Sequence, residues 1–498
     1  MNYFDPYSSY PDQTIAAAWD SQVTEVAQAP WLAEVLILRG SDLFPLFAAC
    51  YAELRALPRG VRRALQRQVA RSRALPAIFP EWLQKGGGSA LQHKLARSLA
   101  GAALLLALLQ GATQAATITV TINVTSINAD GQCSLIEAIV NANNDAATHP
   151  DCPAGNGADM IVLPTDTHTV TGVNNDTYGP SGLPVITSQI TISGNGATIV
   201  RRGRSAFRLI TVSHSGDLTL QNMTLSKGNS SYWGGGAAFN SGTLAIESST
   251  ISGNTADGGG GVKNFGALTI TDSTISDNRA HGAGGVYNKD GMVIIQNSTI
   301  SGNTAAAGGG GVANFSDYFP SIVTIRNSTI SGNHAESGGG VQNVSFYYEN
   351  YSSLTITNST ISGNKADEGG GVYNNDILNL KNSLTAGNTA GVGAEISNSG
   401  SLTADNFNLF GANGNAGVTG FTPGLSDIVP ARGVKVKNIL APLKNNGGST
   451  QTHALVPGSP ALDVVSLLDP ACAGTDQRGV DRPQGPGCDI GAFEQNGP

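Results

Sequence analysis

Acid and base chemistry in this chain would have to come from carboxylates, and in its glycine-rich middle they are sparse: Asp257, Asp272, Asp277, Glu336, Asp367 and Glu368. Cleaving a sugar polymer takes two carboxylates close together, or several around Ca²⁺ with a basic residue nearby. Asp257, Glu336, Asp367 and Glu368 recur at similar turn positions of a repeat, a pattern that solvated turns explain better than a paired site. His281 and His334 lie in corresponding turns and stand alone, as surface histidines do. The densest charge cluster, Asp476, Arg478, Asp481, Arg482 and Asp489, reads as an ion-pair lattice in a loop-rich region. The glycine strings are not phosphate loops, because no Gly-Lys-Ser/Thr follows them, and they lack the Asp of a calcium-binding nonapeptide. No catalytic, cofactor-binding or metal-binding residue is assigned, and no cofactor is expected.

Four cysteines form two local pairs, Cys133 with Cys152 and Cys472 with Cys488, while Cys50 stands apart. That arrangement predicts two disulfides in an exported protein, and its spacing lacks the histidines and close pairs of a zinc cage. Export has its own signal. Lys94 and Arg97 precede an apolar run from Leu99 to Leu109, too short to span a bilayer of about 30 Å, and small residues lead to an expected cleavage between Ala115 and Ala116. A helical pre-signal segment and a Lys85-Gly-Gly-Gly-Ser89 linker occupy residues 1–90, and would meet a membrane only if left uncleaved. Seven arginines from Arg55 to Arg73 read as a solvated helix face, with a contact to anionic lipid or nucleic acid as the alternative. After Ala115 the chain carries 17 Lys and Arg against 28 Asp and Glu, a net of −11. With no basic stripe interleaved with aromatics, no nucleic-acid partner is expected.

What must position any site is a repeat. Segments aligned on Ser-Thr-Ile-Ser-Gly-Asn place Leu225, Ile251, Ile275, Ile300, Ile330, Ile361 and Thr385 in register, at steps of 24 to 31 residues. Five residues before each stands the second member of an alternating pair, such as Leu244/Ile246 or Leu268/Ile270, which is strand periodicity. A third element, Gly-Gly-Val-x-Asn, aligns Val262, Val286, Val312, Val341 and Val372. A unit with three short strands cannot bury its apolar face alone, so the copies must stack at about 4.8 Å into a solenoid. Asn254, Asn278, Asn303, Asn333, Asn364 and Asn388 are expected at tight corners with left-handed backbone, stacking side chain on side chain. Glycine, 64 residues in all, permits the bends and close approaches of a narrow coil. Two long steps come from insertions at 315–321 and 344–353, whose Tyr318, Phe319, Phe346, Tyr347, Tyr348 and Tyr351 form a candidate aromatic binding rim.

A solenoid's ends need covers. Ser134 and Glu137 make a capping box, and Leu135, Ile136, Ile139 and Val140 give helix 134–143 an apolar face. The segment Cys133-Ser-Leu-Ile-Glu-Ala138 resembles the Cys-Ser-Leu-Arg-Glu-Ala motif of secreted bacterial β-helix proteins, with Ile136 in place of Arg. The Gly-Gly-Val-x-Asn units resemble polymorphic outer-membrane-protein repeats. Asn446 to Asp463, Thr475 to Gly479 and Cys488 to Glu494 are similar to the choice-of-anchor Q domain. The resemblance implies a right-handed parallel β-helix outside the cell or on the bacterial surface, with no catalytic set to carry over. The reading is an all-β chain of three short strands per coil: signal-like segment 91–115, N-terminal cap 116–158, β-helix 159–410 and loop-rich cap 411–498. A monomeric adhesin or extracellular scaffold is expected, meeting a glycan or a surface protein; the alternative is a polysaccharide lyase or hydrolase on the same scaffold.

Overall fold

In a strand that alternates Leu-x-Ile, one side chain in two must leave water, and parallel stacking of successive copies removes all of them at once. The computed structural model describes residues 115–123, 125–231, 234–346, 351–405 and 407–495. The chain divides into two units, Met1–Thr113 and Gln114–Pro498, and the described residues belong to the second; the pre-signal helices and most of the signal-like segment lie outside them. Each complete coil gives one strand to each of three parallel sheets. The leucine sheet has eleven strands, from Thr117–Thr119 to Ser401–Asp405; the isoleucine sheet has ten, from Thr167–Val170 to Leu409–Phe410; the valine sheet has nine, from Ile210–Val212 to Val418–Thr419. The protein is a right-handed parallel β-helix. Two-residue strands such as Thr255–Ala256 and Arg279–Ala280 add a narrow four-stranded ribbon between the isoleucine and valine sheets.

The registers match the sequence alignment. Leu225, Ile251, Ile275, Ile300, Ile330, Ile361 and Thr385 pair in one column, and each is fully buried. Burying an isoleucine contributes about 1.5–3 kcal/mol, so the column is a large part of what holds the coils together. Glycine is required beside it: a Cβ on Gly310 would come within 2.2 Å of the Gly339 carbonyl oxygen in the next coil.

Polar ladders line the corners. Asn254, Asn278, Asn303, Asn333 and Asn364 each pass a side-chain amide N–H to the next amide oxygen, ending at Asn388, at 2.8–3.0 Å. A second ladder, from Asn240 through Asn264, Asn288, Asn314, Asn343 and Asn374 to Asn398, does the same at 2.6–2.9 Å. In cross-β fashion these chains satisfy buried amides along the axis. The expected left-handed backbone falls one residue earlier than the first ladder, at Gly253, Asp277, Gly302, Gly332, Gly363 and Gly387. The preceding residue takes the bend, which leaves the asparagine to turn its amide inward. At the corner after the leucine sheet, Asn222, Ser248, Asp272, Asn297, Asn327, Asn358 and Asn382 are themselves left-handed, with φ of 45–52°.

The N-terminal end is covered by helix α1, Leu135–Asn144, whose capping box is formed as expected: Ser134 accepts from Glu137 N–H and Glu137 accepts from Ser134 N–H. Leu135, Ile136 and Ile139 enter the core; Val140 stays half-buried. Cys133–Cys152 ties the helix to the loop after it, and Cys472–Cys488 closes the second bridge. At the other end Phe410 and Phe421 meet edge to face at 5.4 Å across the last coil. The loop-rich block then runs back along the flank: Thr299 donates to the Gln451 carbonyl, Asn327 to that of Thr475 and Asn358 to that of Ala471. Ile439, Leu455, Val465, Ile490 and Phe493 form a second apolar cluster with Leu384 and Leu409. No helix among the described residues is long and apolar enough to cross a membrane.

Candidate functional site

The x of Gly-Gly-Val-x-Asn points outward between an inward valine and an inward asparagine, so one row of the valine sheet is free to vary. Along the register that row reads Phe239, Lys263, Tyr287, Ala313, Gln342, Tyr373. One residue past the ladder asparagines, a neighbouring row reads Phe265, Lys289, Phe315. Over three coils of each row, Phe239–Lys263–Tyr287 and Phe265–Lys289–Phe315, rings and cations therefore alternate, offset by one coil. Phe239 lies 5.6 Å from Phe265 and 5.7 Å from Tyr178, Tyr287 lies 6.1 Å from Phe315, and Phe315 lies 4.7 Å from Phe346. Between them Arg208 sits 4.9 Å over Phe239, Lys263 5.2 Å over Phe265 and 5.5 Å from Tyr287, and Lys289 5.8 Å over Phe315. All are within cation–π reach.

The electrostatics are uneven. Lys289 is paired with Asp317 at 2.8 Å, whereas no ion pair among the described residues includes Arg208 or Lys263. Burial among the rings pushes Lys263 down to about 8, helped by the positive charges of Lys289 and Arg208 and opposed by Asp257. Burial likewise pushes Arg208 down to about 10, with Asp176 opposing. Arg208 is fully buried; its Nη2 donates to Ser230 Oγ at 3.3 Å, and Nε and Nη1 have no partner. Of the three cations Arg208 is thus enclosed and Lys289 is neutralised by Asp317, which leaves Lys263 as the one on this face that an incoming anion could pair with.

The insertions edge this face. Strands Val312–Ser316 and Val341–Ser345 pair through Phe315 with Val344 and Ser316 with Ser345, so both insertions leave the same corner in consecutive coils. Tyr318 (63% exposed), Phe319 (66%), Phe346 (64%) and Tyr351 (45%) are open to solvent. Tyr347 and Tyr348 lie outside the described residues. The insertions and their aromatics stand out in the sequence; the rows of rings and cations do not, because their partners stand 24 or more residues apart and meet only through the register.

The other candidates do not assemble. Glu336 and Asp367 occupy the same turn of adjacent coils, while Asp257 is separated from them by His281 and Ala306 in the coils between. His281 and His334 share a turn but not a position, since His334 pairs with Thr304 and Lys365, two residues before the His281 level. Among the described residues no three His, Cys, Asp or Glu side chains are grouped to hold a metal ion. A polar groove of about 370 Å³ between Thr274, Ser301 and the 445–451 segment holds one carboxylate, Asp277. The C-terminal charges form a lattice: Arg478 pairs with Asp476 at 2.7 Å and stacks on Phe493, and Arg482 pairs with Glu494 at 3.0 Å. Asp481 is exposed and takes no part in these ion pairs; Glu494, outside the expected cluster, is Arg482's partner. Burial lifts Asp489 to about 6.

Among comparisons with known proteins, a family model agrees with this geometry at the level of fold. Residues 261–422 match the family model described as Right handed beta helix region. This β-helix region carries Lys263, Tyr287, Lys289, Phe315 and the rim, while Arg208 and Phe239 lie in coils before it. No curated protein matches the chain. A solved structure titled "Crystal structure of pectate lyase Pel9A" is 17% identical, covers 76% of this chain and 96% of its own, and superposes with a TM-score of 0.46. At that distance the likeness bears on neither substrate nor chemistry.

Proposed function

We propose that the protein is a non-enzymatic, exported adhesin or extracellular scaffold that holds an anionic sugar polymer along the outer face of its valine sheet. The observation that carries this reading is the alternation of rings and cations in two rows. Aromatic faces stack the apolar faces of sugar rings, and cations held among them meet carboxylates. Because coils repeat at about 4.8 Å, Lys263 and Lys289 stand in consecutive coils with rings on either side, and an extended polymer running along the axis would meet both. Two disulfides fit an extracellular setting. In the same reading, residues 1–115 are a leader removed on export, and the ends of the solenoid are Cys-Ser-Leu-Arg-Glu-Ala-type and choice-of-anchor Q-type segments.

Incubating the exported protein with polygalacturonate, dextran and single-stranded DNA tests the proposal. Binding to polygalacturonate that weakens with salt, with little retention of dextran or DNA and no shortening of the polymer, is the expected result. Polymer cleavage abolished by changing one carboxylate would make the protein a carbohydrate-active enzyme instead. Equal retention of DNA would replace the sugar with a nucleic acid.

A further inference from the structure

One carboxylate stands where the repeat calls for an aliphatic side chain. The inward column of the leucine sheet reads Leu268, Leu244, Leu218, Ile190 and then, toward the N-terminal end, Asp159. Asp159 is 1% exposed. Its Oδ1 accepts the Asn156 N–H at 2.8 Å and the Ala116 N–H at 3.1 Å, while Oδ2 has no partner. Gly155 backs onto Oδ2 so closely that a Cβ there would come within 2.6 Å of it. None of the ion pairs among the described residues includes Asp159; the charge that faces it is another acid, Asp145 at the end of α1, and burial and that neighbour both raise its pKa. A buried carboxylate without a cation is costly, and a half-satisfied one more so than an apolar residue in its place.

The residue opposite Asp159 is Ala116: its carbonyl accepts from Met160 N–H at 2.8 Å, and Thr117, next in line, pairs with Met160. Ala116 is also the first residue after the leader cleavage that the apolar run and the small residues after it predict. We propose that Asp159 is a receptor for the new N-terminus: cleavage between Ala115 and Ala116 releases an α-ammonium that docks on the Asp159 carboxylate and locks strand Thr117–Thr119 onto the top of the solenoid. In the hydrolysis, water gives its hydroxyl to the Ala115 carbonyl carbon and a proton to the Ala116 nitrogen, which takes a further proton from solvent; a leader peptidase supplies the catalysis. The peptide N–H offers Asp159 one donor, whereas the ammonium offers three and a positive charge. The aspartate is thereby explained as a group completed by maturation. This inference rests on the cleavage site in the proposed function.

The exported protein supplies the test. Its N-terminal sequence should begin Ala-Thr-Ile-Thr, and its α-amine should react with an acylating reagent about tenfold more slowly in the native protein than in the denatured one, as an ion-paired amine does. Asp159→Asn keeps the shape and removes the charge, and should restore the amine's reactivity. A different N-terminus sinks the cleavage reading, and the receptor with it. An Ala116 terminus whose amine reacts equally fast in native and denatured protein sinks the receptor alone. Should Asp159→Asn fail to fold, the comparison of native and denatured wild-type protein still decides.

Discussion

The isoleucine and valine sheets share one core and one repeat, yet their outer faces have opposite fates. Outward residues of the isoleucine sheet are Thr and Ser in nearly every coil, and Thr299, Thr329 and Thr360 are buried beneath the C-terminal block. The contact is polar: the Gln477 amide N–H groups donate to Thr299 and Thr450 hydroxyls at 3.0 and 2.8 Å, Thr329 donates to its oxygen at 2.6 Å, and Ser331 meets His453 at 2.9 Å. Outward residues of the valine sheet change from coil to coil and hold rings, cations and the exposed insertions. Monotony on one flank suits a fixed partner within the chain. Variety on the other fits the proposed polymer-binding face.

Separating the flanks by mutation gives the largest effects first. Arg482→Met strands buried Glu494 and should cost about 3–5 kcal/mol. Calorimetry should show the C-terminal block melting early while polygalacturonate binding survives. Gln477→Ala leaves buried hydroxyls unmatched along the seam and should cost about 1–3 kcal/mol by denaturant titration, again without a change in binding. Glu395, which ends the first asparagine ladder by accepting from Asn388 and Gly387, gives a pH signature. Burial lifts it from 4.5 to about 7. Its contribution therefore favours the fold below pH 4.5, fades as pH rises through 7 and is absent above that. Stability curves of the wild type and Glu395→Gln should thus diverge between pH 4.5 and 7, the variant gaining relative to the wild type as pH rises. The smallest stability effect belongs to the open flank: Lys263→Met should change stability by less than about 1 kcal/mol and weaken polygalacturonate binding about tenfold in an isothermal titration.

How far residue order alone reaches differs along the molecule. Columns through Ile251 and Val262 were legible because residue type recurs at a fixed offset, and stacking is the only way for such short strands to bury them. Asn254 and its counterparts were legible as a ladder, but the left-handed bend was misplaced by one residue, since turn preference marks a corner without saying which of two neighbours takes the positive φ. The Asn240 row was written in Gly-Gly-Val-x-Asn, yet reading Phe239, Lys263 and Tyr287 as one surface required the register of coils 24 residues apart. Nothing periodic marks residues 436–495, so their course along the isoleucine flank, and the pairing of Arg482 with Glu494, came only with the structure.

Hydrogen–deuterium exchange with and without polygalacturonate tests the division between flanks most directly. The account predicts new protection in strands Val262–Asn264, Val286–Lys289 and Val312–Ser316, with the 445–451 segment and strands Thr274–Ser276 and Thr299–Ser301 unchanged. Protection confined to the 445–451 groove, with the valine sheet exchanging as before, would contradict it.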